Sequence, residues 1–213
     1  MFPINAVSIF TPWRLARRGV HGIGVSAALI GLAVAIFPAQ ALAIEGCPSV
    51  PESQPFTQFN DTNWYELMPQ GDFEGSTSGW TLSDGAAIAT GSESYAVTGK
   101  LGKYSLALPA GASATSPFVC VDKSYRTLRF FARNEGSASS IAVQILYKTP
   151  SGPYIVSVGT VASGSSWAPS PKLPTYSGPA SAESNGTAQA AIRLTAKTAR
   201  SRVDDVYIDP RMR

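Results

Sequence analysis

Beyond residue 21 this 213-residue chain has no histidine, and its single His21 falls in a stretch that reads as a leader. A domain without histidine has no Ser-His-Asp or Cys-His nucleophile system and no histidine-ligated zinc or iron site, so most common hydrolase mechanisms are excluded. An excess of charge is missing too. The +3 of the whole chain comes from the three arginines of the leader, and without them 14 basic residues face 14 acidic ones. A neutral domain offers no electrostatic attraction for nucleic acid or an anionic membrane. One long apolar run occurs, Ile23 to Phe37, shorter than the roughly 20 residues a spanning helix needs. No stretch holds a helical period for three turns, and cysteine is limited to Cys47 and Cys120.

What is present at the start is the make-up of a secretory signal. Arg14, Arg17 and Arg18 precede the apolar run, and Ala41-Leu42-Ala43 closes it with the small-x-small pattern of a signal peptidase site. Residues 1–43 are therefore expected to be removed, leaving a secreted protein, extracellular or in the cell envelope, with no membrane insertion after cleavage. Gly19 and Val20 behind the twin arginine leave the Sec and Tat routes both open. In an exported chain an even pair of cysteines is most simply a disulfide, so Cys47 and Cys120 are expected to pin the N-terminal segment to the body.

Residues 44–63, with prolines at 48, 51 and 55, read as an extended segment, and 64–213 as a single β domain, expected to be monomeric. Three runs carry a clear two-residue period. Arg126 to Asn134 alternates Leu128, Phe130 and Ala132 with Arg129, Phe131 and Arg133. Ser140 to Lys148 sets Ile141, Val143, Ile145 and Tyr147 against Gln144 and Lys148. Thr187 to Thr195 sets Ala188, Ala190, Ile192 and Leu194 against Gln189 and Arg193. Shorter strands are expected at 64–68, 79–82, 86–90, 104–108, 115–121, 154–161, 166–173 and 203–208. Many short strands joined by Gly, Ser and Pro turns predict an all-β, two-sheet antiparallel sandwich.

Two acidic stretches stand near the ends of that domain: Gln70-Gly71-Asp72-Phe73-Glu74 with Gly79-Trp80 behind it, and Val203-Asp204-Asp205-Val206. Between them lie Gly102-Lys103-Tyr104-Ser105-Leu106 and Trp167. In this order the motifs resemble the calcium-containing, galactose-binding-like jelly-roll modules, in particular carbohydrate-binding modules of the family 4, 9 and 22 type. The resemblance implies that Phe73, Trp80 and Trp167 are core. It also implies a structural calcium held by Glu74, the Lys103 carbonyl and Asp205, with Asp72 adding a carbonyl. A hard cation takes 6–8 oxygens, which would offset the mutual repulsion and lost hydration of such carboxylates. The alternative is that Glu74 and Asp205 are edge carboxylates, facing water or pairing with Lys103 and Arg202.

The same resemblance implies a glycan or cell-envelope polymer as partner, and the neutral charge argues against nucleic acid. Sugar binding needs an exposed aromatic beside planar hydrogen-bonding forks. If the three periodic strands share a sheet, Arg129, Phe131, Arg133, Gln144, Gln189 and Arg193 form that surface, with Lys148 at its margin. Tyr95, Tyr154 and Tyr176 are further loop aromatics. An exported structural or protein-interaction protein with no sugar site is the competing expectation. An enzyme would have to work with carboxylate pairs, and the close acidic sets are better explained by a metal and a strand edge, so no catalytic residue is assigned.

Overall fold

The computed structural model describes residues 47–122, 127–175 and 187–209; the leader expected over 1–43 and the loop tyrosine Tyr176 lie outside the described residues. Among these the regular structure is all strand apart from one 3-10 turn at Thr57–Phe59. The strands are β1 (Glu66–Leu67), β2 (Thr81–Ser83), β3 (Ala87–Thr90), β4 (Tyr104–Leu108), β5 (Ser113–Thr115), β6 (Val119–Asp122) and β7 (Thr127–Asn134). They continue as β8 (Ser139–Tyr147), β9 (Tyr154–Ser163), β10 (Ala168–Pro169), β11 (Leu173–Pro174), β12 (Thr187–Ala196) and β13 (Ser201–Ile208). The first sheet runs β10-β7-β13-β4-β3, with β1 also on β13 and β11 also on β7. The second runs β2-β5-β12-β8-β9, with β6 also on β12, and every pairing is antiparallel.

Two expected strands break in two, each where proline removes a ladder donor. The stretch over 115–121 splits into β5 and β6 around Ser116 and Pro117. The stretch over 166–173 becomes the two-residue pieces β10 and β11, with Pro171 between them.

The core lies between the sheets and is filled by the alternating positions read from sequence. Leu128, Phe130 and Ala132 from β7 meet Ile141, Val143, Ile145 and Tyr147 from β8, and Ala190, Ile192 and Leu194 from β12. Phe73 and Trp80 join them, with rings 5.1 Å apart and the indole N–H donating to the Pro69 carbonyl at 2.8 Å. Trp167 does not. It is half-buried against a second apolar cluster, outside the first sheet.

Strand β13 carries one irregularity with functional weight. Its register against β7 shifts between Asp204 and Tyr207, and Asp205 adopts φ +48°. The extra residue is a β-bulge. It lets Val203, Val206 and Ile208 all reach the core, although the spacing from Val203 to Val206 is odd. Gly71 packs here: a β-carbon would sit 2.9 Å from both the Met68 and the Val206 carbonyl oxygens, too close for any side chain.

Candidate functional site

The outer faces of the two sheets, and an acidic cluster at the bulge, are the places where chemistry-bearing residues gather. The three periodic strands do not all share a sheet. β7 belongs to the first sheet, β8 and β12 to the second. Arg129, Phe131 and Arg133 therefore lie on the opposite side of the molecule from Gln144, Gln189 and Arg193, and the six-residue groove does not form. Periodicity assigns a residue to a face of its own strand but says nothing about which sheet that strand joins.

On the first sheet the N-terminal segment seals the face. It crosses the strands as a strap, pairing Ser53 with Tyr65 and placing Phe56 against Phe131 and Tyr207, with ring centroids 5.6 Å apart in each case. Phe56, Tyr65 and Phe131 are fully buried, so Phe131 is not a ligand platform. Arg129 is also committed. Its guanidinium lies 4.4 Å from the Phe56 ring centroid, donates to the Ser170 carbonyl through Nε and Nη2, and pairs through Nη1 with Asp61 Oδ2 at 2.8 Å. Asp61 is buried, and Lys172 Nζ also reaches it at 2.8 Å and Tyr65 OH at 2.7 Å. Burial alone would raise the Asp61 pKa. Hydrogen bonds from Lys172, Tyr65, Arg129 and the Asn63 N–H outweigh it and hold the carboxyl below its ordinary value. Burial, with Asp61 alongside, pushes the Tyr65 hydroxyl up to about 12. Arg133 is half-buried, 5.4 Å from the Trp167 ring centroid and paired with Glu135.

The outer residues of the second sheet are ordered in rows. Arg193 stands opposite Gln144 on one side and Thr115 on the other, and Gln144 stands opposite Ser157. Arg193 Nε donates to Thr115 Oγ1 at 3.1 Å. Two residues along each strand, Ala191 pairs with Leu146 and Leu146 with Ile155. Phe118, next to Val119, extends that row on β6. Phe118 and Ile155, at the two ends of the row, are 43% and 44% exposed, whereas Ala191 and Leu146 between them are buried. Gln189 and Lys148, exposed and joined through the Lys148 N–H to the Gln189 carbonyl, form the next polar row. The result is an apolar row across four strands, open to solvent at its two ends and flanked by Arg193, Gln144, Gln189 and Lys148. At its β8–β9 end an open groove of about 480 Å³ is lined by Thr149, Ser151, Gly152, Pro153 and Tyr154. Three of the six expected ligand residues thus meet here. Phe118 and Ile155, exposed on the same face, were not singled out from the sequence.

The third gathering is acidic. The bulge buries Asp204 and Asp205. Asp204 accepts from the Ser92 hydroxyl and the Glu93 N–H, each at 2.8 Å, and from the Asp205 N–H at 3.0 Å. Glu93 is buried and accepts from the Tyr95 and Val97 N–H groups. Glu74 Oε1 accepts from the N–H groups of Lys103 and Tyr104 at 2.7 and 2.8 Å, while the Lys103 carbonyl accepts from the Gly91 N–H. Asp72 Oδ1 accepts from the Glu74 N–H at 3.4 Å. The Asp205 carboxylate, only 3% exposed, accepts no hydrogen bond among the described residues. Burial, reinforced by the charges of Asp204, Glu93, Asp72 and Glu74, pushes its pKa up to about 9; burial and Glu93 push Asp204 to about 7. Among the described residues none of the five acids forms an ion pair, and Arg202 pairs with Glu135 instead. No three His, Cys, Asp or Glu side chains among the described residues converge as a ready metal cage. The donors gathered here are all oxygen, the type a hard cation takes. Glu93 and Asp204 were not expected from the sequence.

Cys47 and Cys120 form a disulfide, tying the root of the strap to β6.

No family model matches this chain, and no curated protein matches it in sequence. Solved structures do. The family 22 carbohydrate-binding and GH10 modules of Clostridium thermocellum endo-1,4-beta-D-xylanase 10B, complexed with xylohexaose, align at 15% identity and TM-score 0.51, covering 70% of this chain and 29% of that structure. The family 22 xylan-binding domain of Paenibacillus barcinonensis Xyn10C aligns at 14% identity and TM-score 0.47 over 67% of this chain and 94% of that domain. The family 61 module TmCBM61, in complex with beta-1,4-galactotriose, aligns at 14% identity and TM-score 0.41 over 67% and 96%. This chain spans less than a third of the first of these, and what the likeness establishes is a shared fold: the two-sheet β-sandwich jelly roll of carbohydrate-binding modules.

Proposed function

We propose that this protein is a secreted, non-catalytic binding module for a glycan or another cell-envelope polymer, with its ligand on the outer face of the second sheet and a structural calcium at the acidic cluster. The exposed Phe118 and Ile155, at the two ends of a row between Arg193 with Gln144 and Gln189 with Lys148, carry the reading. An exposed aromatic such as Phe118 suits the hydrophobic face of a pyranose ring, and Arg, Gln and Lys heads beside it suit vicinal hydroxyls. The fold shared with the family 22 and GH10 modules complexed with xylohexaose supports a polysaccharide as the ligand class. The Cys47–Cys120 disulfide supports export, since disulfides persist in oxidising compartments. Glu74, Asp205 and their acidic neighbours would hold calcium, whose contribution is to neutralise buried charge and to fasten the start of the domain to its last strand.

Titration calorimetry with soluble xylan, xylohexaose and β-1,4-galactan oligosaccharides tests the glycan face. Binding that weakens at least tenfold in Arg193→Ala, with Arg133→Ala unchanged, supports it. The second reading, an exported structural or protein-interaction protein, draws on the sealing of the Phe131 face by the strap. No heat with any polysaccharide would favour that reading.

A further inference from the structure

A strand at the margin of a sheet presents unpaired backbone groups that another strand can join, unless the margin is kept short, charged or interrupted by proline. Most margins here are kept short. Among the described strands with an open side, β1, β2, β3 and β6 have two to four residues each. On the far side of β7 the two-residue pieces β10 and β11 bring Pro169, Pro171 and Pro174. Strand β9 is the exception. It closes the second sheet with ten residues, Tyr154 to Ser163, and carries neither a charge nor a proline.

The bonding of β8 fixes which way each residue of β9 faces. The Lys148 N–H donates to the Gln189 carbonyl and the Lys197 N–H to the Ser140 carbonyl, so even-numbered residues of β8 bond to β12 and odd-numbered ones to β9. Opposite the odd-numbered residues stand Tyr154, Val156, Gly159, Val161 and Ser163, and these turn their backbone to β8. Ile155, Ser157, Thr160 and Ala162 turn theirs to the open side, where no backbone group among the described residues meets them. All four are exposed. Between Ser157 and Gly159, Val158 is an extra residue, a bulge opposite the step from Val143 to Gln144.

That interruption selects the partner. A regular strand in phase with Ile155 and Ser157 is out of phase with Thr160 and Ala162. A second β9 running antiparallel carries the same interruption and matches on both sides of it. When Ile155 lies opposite Ala162 of the second copy, Ser157 falls opposite Thr160 and Val158 opposite Gly159, and the same pairs recur beyond the twofold axis. Apolar meets apolar, hydroxyl meets hydroxyl, and on the other face of the strand Val156 falls opposite Val161. No charge meets itself across the axis.

We propose that the β9 edge is a dimerisation surface, which pairs antiparallel with β9 of a second copy of this chain about a twofold axis between Val158 and Gly159, joining two six-stranded sheets into one. The inference is independent of the glycan and cation readings and departs from the monomer expected from the sequence. Each copy uses its one long open edge in the contact, so assembly closes at two.

Sedimentation equilibrium of the disulfide-intact protein, from micromolar to millimolar concentration, tests the pairing and its register. The wild type is expected to form a reversible dimer. Ser157→Lys combined with Thr160→Lys sets like charges directly opposite one another, as does Ser157→Glu combined with Thr160→Glu, and each double variant is expected to raise the dissociation constant at least tenfold. An equimolar mixture of the two is expected to return it to within threefold of wild type, because this register then sets each ammonium opposite a carboxylate. Both positions are exposed, so urea unfolding of each monomeric variant is expected to match the wild type. A wild type that stays monomeric throughout, double variants that dimerise as the wild type does, or a mixture no tighter than either variant alone would overturn the proposal.

Discussion

The two sheets present the same kind of outer surface in sequence and opposite surfaces in space. Arg129, Phe131 and Arg133 on β7 alternate as regularly as Arg193 and its neighbours on β12, each strand offering forked cations among apolar side chains. On the first sheet the strap arrives with Phe56 and Asp61 and uses that chemistry internally, ring on ring and carboxylate on guanidinium. On the second sheet Phe118 and Ile155 remain exposed. The difference lies in what the N-terminal segment covers, and a face suited to binding is informative only once the chain's own claim on it is known.

The strongest way to break the comparison is to unseal the first face. Asp61→Ala leaves Arg129 buried beside Phe56 without its counter-charge, and the loss of one partner of a buried pair is expected to cost about 3–5 kcal/mol in urea unfolding. A cost below about 1 kcal/mol would mean that the strap is held by its aromatics alone. Next in size, Cys47→Ser with Cys120→Ser opens a link between residues 73 positions apart, and the same unfolding measurement should show a loss of about 2–4 kcal/mol.

The seal should also respond to acid. The Asp61 pKa is depressed in the folded state, so its contribution is complete above the unfolded value of 3.8 and is lost as pH falls through the lower folded value. Tyrosine and tryptophan fluorescence of the strap is expected to change below about pH 4 and to stay constant from there to neutrality; a transition near pH 6 would point to another group. The smallest stability effect belongs to the open face. Arg193→Ala should shift unfolding by no more than about 0.5 kcal/mol, as surface substitutions do, while removing glycan affinity. A large loss of stability there would show that the second face is structural after all.

Much of the sandwich was legible, because β8 and β12 announce their inward residues at every second position and bury them as read. The pairing of Cys47 with Cys120 was legible from number and compartment. Sheet membership was not, since hydrogen-bond partners of a strand are chosen by the whole topology. The strap was hidden for a different reason: residues 47–63 have no period. Their aromatics, Phe56 and Phe59 followed by Trp64 and Tyr65, were the available signal of a segment with a surface to cover. For the acidic cluster, Glu74 and Asp205 stand in motifs, but Glu93 sits among serines and glycine, and only the fold brings it to Asp204. The bulge left a trace: Val203 and Val206 cannot both face inward on a regular strand.

The disulfide sets how the molecule carries load. Tension applied at Cys47 passes through the sulfur bridge into β6, whose hydrogen bonds to β12 run along the register from Val119 to Asp122. The strap downstream of Cys47 is bypassed and stays slack while the bridge is intact. Reduction reroutes the same pull through Ser53 and Phe56, peeling the aromatic seal one contact at a time. The bridge thus decides whether a tug on this end is resisted by a sheet in shear or by a strap in peel.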